Sequence, residues 1–285
     1  MNSFSKNNHF SNCSIQPQWS APKNIRALVT TNFCGDPNHV DQWGHNLGTH
    51  VSEPLENVLR KRQALALQLK ISSPLWLQQT HSNKIINIQE EGQAIYLQQQ
   101  SLILETSAGF PQPNWPQADA WVCTVPNTPI GVLTADCLPI ILTNKKGTEV
   151  AAIHAGWRGL ENKIIAETLN TMQSNSSEII AWLGPCISNA NYEVGTEFIE
   201  QFSTHPKDML NKAFIKRDDK IYFDLRAFAN LQLHMLGVKN ILDSEYCTYH
   251  DKRWFSHRQF THQEKIQSVK NVCGRFATLI WLDGK

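Results

Sequence analysis

No disulfide framework is written into this chain. Its seven cysteines are odd in number, widely spaced and free of any C-x-x-C pair, so most are expected to be small buried hydrophobes. No apolar run approaches the roughly 20 residues needed to cross a bilayer. The first residues, M-N-S-F-S-K-N-N-H-F-S-N-C-S, lack the apolar core of a signal peptide. Neither sign of charge dominates: 26 Lys and Arg stand against 25 Asp and Glu, a formal net charge of +1. That balance argues against a protein that tracks nucleic-acid phosphates. Blocks of like charge and internal repeats are also missing. Together these absences predict a cytoplasmic protein that engages neither nucleic acid nor membrane.

What is present is enough apolar residue, 41% of 285, to bury a substantial core. Residues 1–24, rich in Asn, Ser, Gln and Pro, read as a flexible arm, and 25–285 as one domain. Ile25 to Thr31 reads as a first strand, and Pro54 to Lys70 as an amphipathic helix opened by proline. Pro74 to Gln79 and Lys84 to Gln89 read as short strands around a bend at residues 80–83. Residues 92–117, rich in proline and glutamine, read as loop. Leu160, Ile164, Ile165, Leu169 and Met172 imply one packed helix. Glu178 to Leu183 reads as a strand, and a hairpin is expected to turn at Asp218-Asp219. Asp224 and Gly237 are placed to cap a helix between them, and Phe276 to Leu282 reads as a closing buried strand. Hairpins mixed with helices, without regular βαβ alternation, predict an α+β (mixed α/β) fold.

The densest information lies at T-A-D-C-L-P-I-I-L-T-N-K-K-G-T-E-V-A-A-I-H-A-G-W-R-G, residues 134–159. Two apolar runs flank Asn144-Lys145-Lys146-Gly147, the pattern of a β-hairpin. With Asn144 opposite Gly147, Cys137 faces His154 directly, Cβ atoms about 5 Å apart. That suits two ligands of one metal ion, or a nucleophile and its base. A G1 bulge at Gly147 is the alternative and slips the register by one residue. A third ligand would come from the other histidines, among which His81 stands on a bend between apolar segments. Ala155 to Gly159 leads into a helix, where glycine admits a ligand and Arg158 favours an anion; a tight turn with Arg158 solvated is the alternative. Asp136 is expected to point away from the face that carries Cys137 and to brace the site without ligating.

T-A-D-C-L-P and H-A-G-W-R-G, in that order, resemble the signatures of the YfiH-like, or laccase-domain, family. The likeness continues through Asn46-Leu47-Gly48 with His50-Val51, Trp76 to His81, Ala118-Asp119-Ala120, Trp182 to Pro185 and Tyr192 to Gly195. It extends to Cys247-Thr248, Phe255-Ser256, Gly274-Arg275 and Ile280 to Leu282. The resemblance implies mixed β-sheets packed against helices, similar to the catalytic domain of a bacterial deamidating toxin. It also implies a metal site of His81, Cys137 and His154, with zinc as the cofactor and copper(II) as the other ion to consider. Asn46, Arg158 and Arg258 are the implied substrate-binding residues. The pattern departs at Asn32, where the family has arginine, at Cys34 and Ser82 in place of glycines, at His257 and Gln259, and in a longer 260–273 segment.

By that resemblance the chain is expected to be a zinc-dependent purine nucleoside phosphorylase. It would cleave adenosine, inosine and methylthioadenosine with phosphate, deaminate adenosine, and work as a monomer or small homo-oligomer. An amidase that removes serine from muramyl precursors is the alternative, with Cys137 as thiolate nucleophile and His154 as base in one version. The family's older label, copper polyphenol oxidase, fits the residues worst. Multicopper centres draw on H-x-H pairs, and no two of the eleven histidines are two apart. A non-enzymatic metal store is disfavoured by the open coordination position that three ligands leave.

Overall fold

The structure is a computed structural model that describes residues 13–33, 44–89, 115–267 and 273–284. Thirteen strands and seven helices lie in these residues. The central sheet has six strands in the order β12-β8-β6-β7-β4-β3. These are β3 (Ile85–Ile88), β4 (Ala120–Cys123), β6 (Leu138–Asn144), β7 (Val150–Ala155), β8 (Ile179–Leu183) and β12 (Asn240–Asp243). Every residue of β4, β6, β7 and β8 is buried. Such strands read as continuous apolar runs because both faces are covered.

Alternation splits their side chains between two cores. Ile140, Leu142 and Ile153 face helices and an aromatic cluster that includes Phe202, Phe223 and Phe228. Ile141, Ala152 and Trp121 face a second sheet, of order β1-β2-β13-β5. That sheet comprises β1 (Ser14–Ile15), β2 (Ile25–Thr30), β5 (Ile130–Thr134) and β13 (Phe276–Leu282). A small third sheet joins β9 (Glu193–Val194), β10 (Phe214–Arg217) and β11 (Lys220–Phe223), the last two turning at Asp218-Asp219 as the sequence predicts. The mixed α+β class holds. Among the described residues no helix is long and apolar enough to cross a membrane.

The helices are α1 (Leu55–Leu69), α2 (Trp157–Glu161), α3 (Ile164–Thr171), α4 (Glu197–Glu200), α5 (Lys207–Ala213), α6 (Leu225–Met235) and α7 (His257–Gln267). Asp224 caps α6 by accepting the N–H of Ala227 at 2.9 Å, and Gly237 follows it at φ 91°. The single helix expected through residues 160–172 is two, α2 and α3. Lys163, left-handed at φ 64°, turns the chain between them so that Leu160, Ile164 and Ile165 all reach the core.

Three further expectations need correction. Residues 13–24 are not a loose arm: Ser14 pairs with Thr30, and Asn24 donates its amide to the Gly147 carbonyl at 2.8 Å. Residues 1–12 lie outside the described residues. The 74–79 segment, buried at residues 74–77, is not a strand, because its backbone changes partner, from Pro129 at Leu75 to Pro116 at Gln78. Most of the 92–117 segment, and residues 268–272 of the long 260–273 segment, also lie outside the described residues, while 260–267 belong to α7.

The third correction concerns the central hairpin. Pro139, not Cys137, faces His154, and Thr143 faces Val150, so the register is displaced by two residues. Asn144 causes it. Its side chain accepts the Thr148 N–H at 2.9 Å and donates to the Thr148 hydroxyl at 2.7 Å. Glu149 is drawn out of the ladder to accept the N–H groups of Gln173 and Ser174, both at 2.8 Å. A shift of two preserves the face. Cys137 and His154 therefore remain on one side of the sheet, as diagonal neighbours.

Candidate functional site

Cys137 lies just before β6, His154 near the end of β7, and His81 on the bend that precedes β3. One ligand atom from each lies within 4.8 Å of the others. The Cys137 Sγ is 3.8 Å from His81 Nε2, and the two imidazoles meet edge to face with centroids 4.7 Å apart. A tetrahedral zinc with one sulfur and one nitrogen ligand holds them about 3.6 Å apart, so the set needs little movement to close on an ion. The donors, one thiolate and two imidazoles, suit zinc and also copper(II). No second such group occurs among the described residues.

Space for this cluster depends on Gly156. A Cβ there would lie 3.0 Å from His81 Cδ2 and 3.1 Å from Cys137 Sγ. The Gly156→Ala variant is therefore expected to push the two side chains apart and weaken zinc about tenfold or more, while the fold survives. Competition with a chromophoric chelator checks this.

Asp119 builds the site from behind. Its Oδ1 lies 2.8 Å from His154 Nδ1 and accepts the backbone N–H of His81 at 3.0 Å. Its Oδ2 accepts the N–H and hydroxyl of Ser82 at 2.6 and 2.7 Å, and the N–H of Thr80 at 3.2 Å. Three successive amides thus converge on one carboxylate, which holds His81 at φ 58°, in the left-handed region. The same carboxylate fixes the ring of His154, leaving Nε2 for the ion.

Ionisation follows from this geometry. Burial opposes charge on the Cys137 thiol, yet the adjoining His154 and His81 imidazoles pull it well below the usual thiol range. Burial likewise opposes charge on His154, and the Cys137 thiolate and Asp119 carboxylate raise it above the usual imidazole range. Elsewhere burial dominates: the thiols of Cys123 and Cys273 are raised to about 11, and Cys186 to about 12. Those cysteines are inert hydrophobes; Cys137 is poised as a ligand or nucleophile.

A cavity of about 420 Å³ opens over the cluster. Arg158 and Arg258 line it. Arg158 stacks on Trp157 with its guanidinium carbon 4.3 Å from the ring, and Arg258 lies 5.2 Å over Tyr192. Asn46 does not line it. That side chain is fully buried. Its amide donates to Glu53 at 2.8 Å and Gly48 at 3.0 Å, and its oxygen accepts from Gly48 and Arg275. Asn32, where the resembled family has arginine, is absent from the wall as well.

Sequence reasoning passed over several residues that the structure brings here. Asp119 carried a signal, its place in the A-D-A motif ahead of a strand, but its partners lie 35 to 39 residues away. Tyr192, Arg275 and His50 also line the cavity. His50 is held neutral, its pKa lowered to about 4 by burial and by the charges of Arg275 and Arg62.

Comparisons with known proteins show the family to which the chain belongs. Residues 27–283 match the family model described as multi-copper polyphenol oxidoreductase laccase. A purine nucleoside phosphorylase of Haemophilus influenzae is 33% identical over 275 residues, covering 94% of this chain and 99% of its own. The purine nucleoside phosphorylase YfiH of Escherichia coli is 33% identical over 270 residues, covering 94% and 98%. Among solved structures, Neisseria meningitidis NMB0706 superposes with a TM-score of 0.76 at 33% identity, over 95% of this chain and 100% of that one. YlmD of Geobacillus stearothermophilus shares the fold, with a TM-score of 0.75 at 23% identity, over 95% and 99%.

Proposed function

Because this chain belongs to the family described as multi-copper polyphenol oxidoreductase laccase, with relatives named purine nucleoside phosphorylase along nearly its whole length, we propose that it is a zinc-dependent purine nucleoside phosphorylase that also deaminates adenosine. The observation that carries this reading is the His81, Cys137 and His154 cluster beneath a cavity with Arg158, Arg258 and Arg275 on its wall.

About 420 Å³ accommodates a nucleoside with phosphate beside it. Zinc held by His81, Cys137 and His154 would supply a Lewis acid to an oxygen of phosphate or water. The residues of the chain do the rest. Asp119 keeps His154 in the tautomer that offers Nε2 inward. Arg158 and Arg258 neutralise phosphate and hold it against the ribose, where attack at the anomeric carbon expels the base. Trp157 and Tyr192 support the two guanidiniums, which lie over their rings at the cavity wall. A multicopper oxidase is not favoured, since the described residues hold one ligand cluster of this kind.

A second reading has its own observation. Asp119, His154 and Cys137 form a chain of carboxylate, imidazole and thiol, the arrangement of a thiolate hydrolase. In that case an amide, such as that of a muramyl-serine precursor, would be the substrate, and a metal on the sulfur would block it. The two readings separate in one experiment. Purified protein is expected to carry about one zinc per chain and to release adenine from adenosine only when phosphate is supplied, with ribose 1-phosphate as the other product. Amide hydrolysis by metal-free protein, without nucleoside turnover, would move the assignment to the hydrolase.

A further inference from the structure

The T-A-D-C segment contains a carboxylate, Asp136, that lies outside the His81, Cys137 and His154 cluster. Asp136 is buried, and its backbone stands at φ 87°, a left-handed conformation that side chains seldom adopt. Three segments remote in sequence are fastened to it. Its carbonyl accepts the N–H of Ile187 at 3.0 Å. One carboxylate oxygen accepts the Thr248 hydroxyl at 2.6 Å, and the other accepts the backbone N–H of Arg258 at 2.6 Å.

Arg258 is the second residue of α7, whose start is also capped by Ser256 through the N–H of Gln259 at 3.1 Å. Its guanidinium donates to the Glu193 carbonyl at 3.0 Å, lies over Tyr192 and lines the cavity. From the sulfur ligand to this arginine the route is therefore one peptide link and one short hydrogen bond. We propose that Asp136 is a positioning residue, which sets the separation between Cys137 and the Arg258 guanidinium so that an anion can span the metal and the arginine. This rests on the reading above, in which Arg258 holds the phosphate.

The sign of the effect separates positioning from simple electrostatics. A negative charge beside an arginine opposes anion binding, so on charge alone deleting it would tighten phosphate. Positioning requires the reverse. Asp136→Gly deletes the carboxylate while tolerating the positive φ. Asp136→Asn keeps an oxygen for the Arg258 N–H and can donate its amide to the Thr248 hydroxyl.

The test is calorimetric titration of inorganic phosphate into zinc-loaded protein, with zinc per chain measured alongside. Asp136→Gly is expected to bind phosphate about tenfold more weakly with zinc per chain unchanged, and Asp136→Asn to recover most of the loss. Unchanged or tighter phosphate binding in Asp136→Gly overturns the proposal, as does loss of zinc together with phosphate. If Asp136→Gly does not fold, Thr248→Val, which frees one side of the carboxylate, decides: weaker phosphate with zinc retained supports positioning, and unaltered affinity refutes it. Arg258→Ala is the reference. An unaffected Arg258→Ala defeats the reading of the site and this proposal together, whereas an impaired Arg258→Ala beside a normal Asp136→Gly defeats this proposal alone.

Discussion

Cys137→Ala is expected to purify with almost no zinc and to lose about 1,000-fold or more in kcat/KM for phosphorolysis, with an unaltered circular dichroism spectrum. Two imidazoles alone leave a divalent ion without its only anionic ligand, so the cluster no longer holds it against a chelator. The fold should not notice. Cys137 is partly accessible and sits just before β6, outside the strand ladder. Nothing in the packed core depends on its sulfur, and alanine fills nearly the same volume. Zinc per chain by plasma emission, activity and thermal melting of metal-free protein together check this. Nucleoside turnover at the native rate by Cys137→Ala would remove the metal reading. A fall in activity with zinc retained would instead favour the thiolate nucleophile.

Asp119→Asn should be nearly as damaging, and for the fold as well as the site. Each carboxylate oxygen faces only donors: His154 and His81 on one side, Ser82 and Thr80 on the other. Whichever way an amide is turned, its NH₂ meets N–H groups and leaves buried donors without an acceptor. The variant is expected to lose about 3 kcal/mol of stability, a fall of roughly 6 to 9 °C in Tm, and about 10- to 100-fold in zinc affinity.

Acid provides an independent check. Burial works against ionising Asp119, but the hydrogen bond and charge of His154, with the Ser82 contacts, outweigh it and hold the carboxyl at about 2. That lies below the unfolded value near 3.9. The stabilisation is therefore complete above about pH 4 and disappears as pH falls toward 2. Denaturant titrations of metal-free native protein and Asp119→Asn should differ most near neutrality and converge below pH 3. A constant difference across that range would show that the carboxylate's charge plays no part.

Local patterns were read well wherever the stabilising contacts were themselves local. Helix α1 begins after Pro54, the Asp218-Asp219 turn joins β10 to β11, and Asp224 caps α6, because each depends on residues within a few positions. The hairpin register is set by Asn144 bonding to Thr148 together with Glu149 bonding to residues 173 and 174, and the second partnership is invisible in the turn sequence. Asn46 was misplaced because a motif fixes identity without saying which side of a loop faces the cavity. Lys163 divided an apparently continuous helix for a related reason: apolar spacing reports which side chains seek the core, not the path the backbone takes between them.

By itself the sequence pointed to Cys137 and His154 on one face, and that placement survives in the structure because the register shift is two residues, the period of a strand. It also supplied the residue types, one thiol and two imidazoles, that suit zinc. Only tertiary structure decided that Asp119 governs both histidines, that His81 reaches the sulfur, and that Asp136 links the cysteine to Arg258. Those couplings join residues 35 to 122 positions apart. Hydrogen-bond reach is a property of space, and the chain order records it only after the sheets have packed.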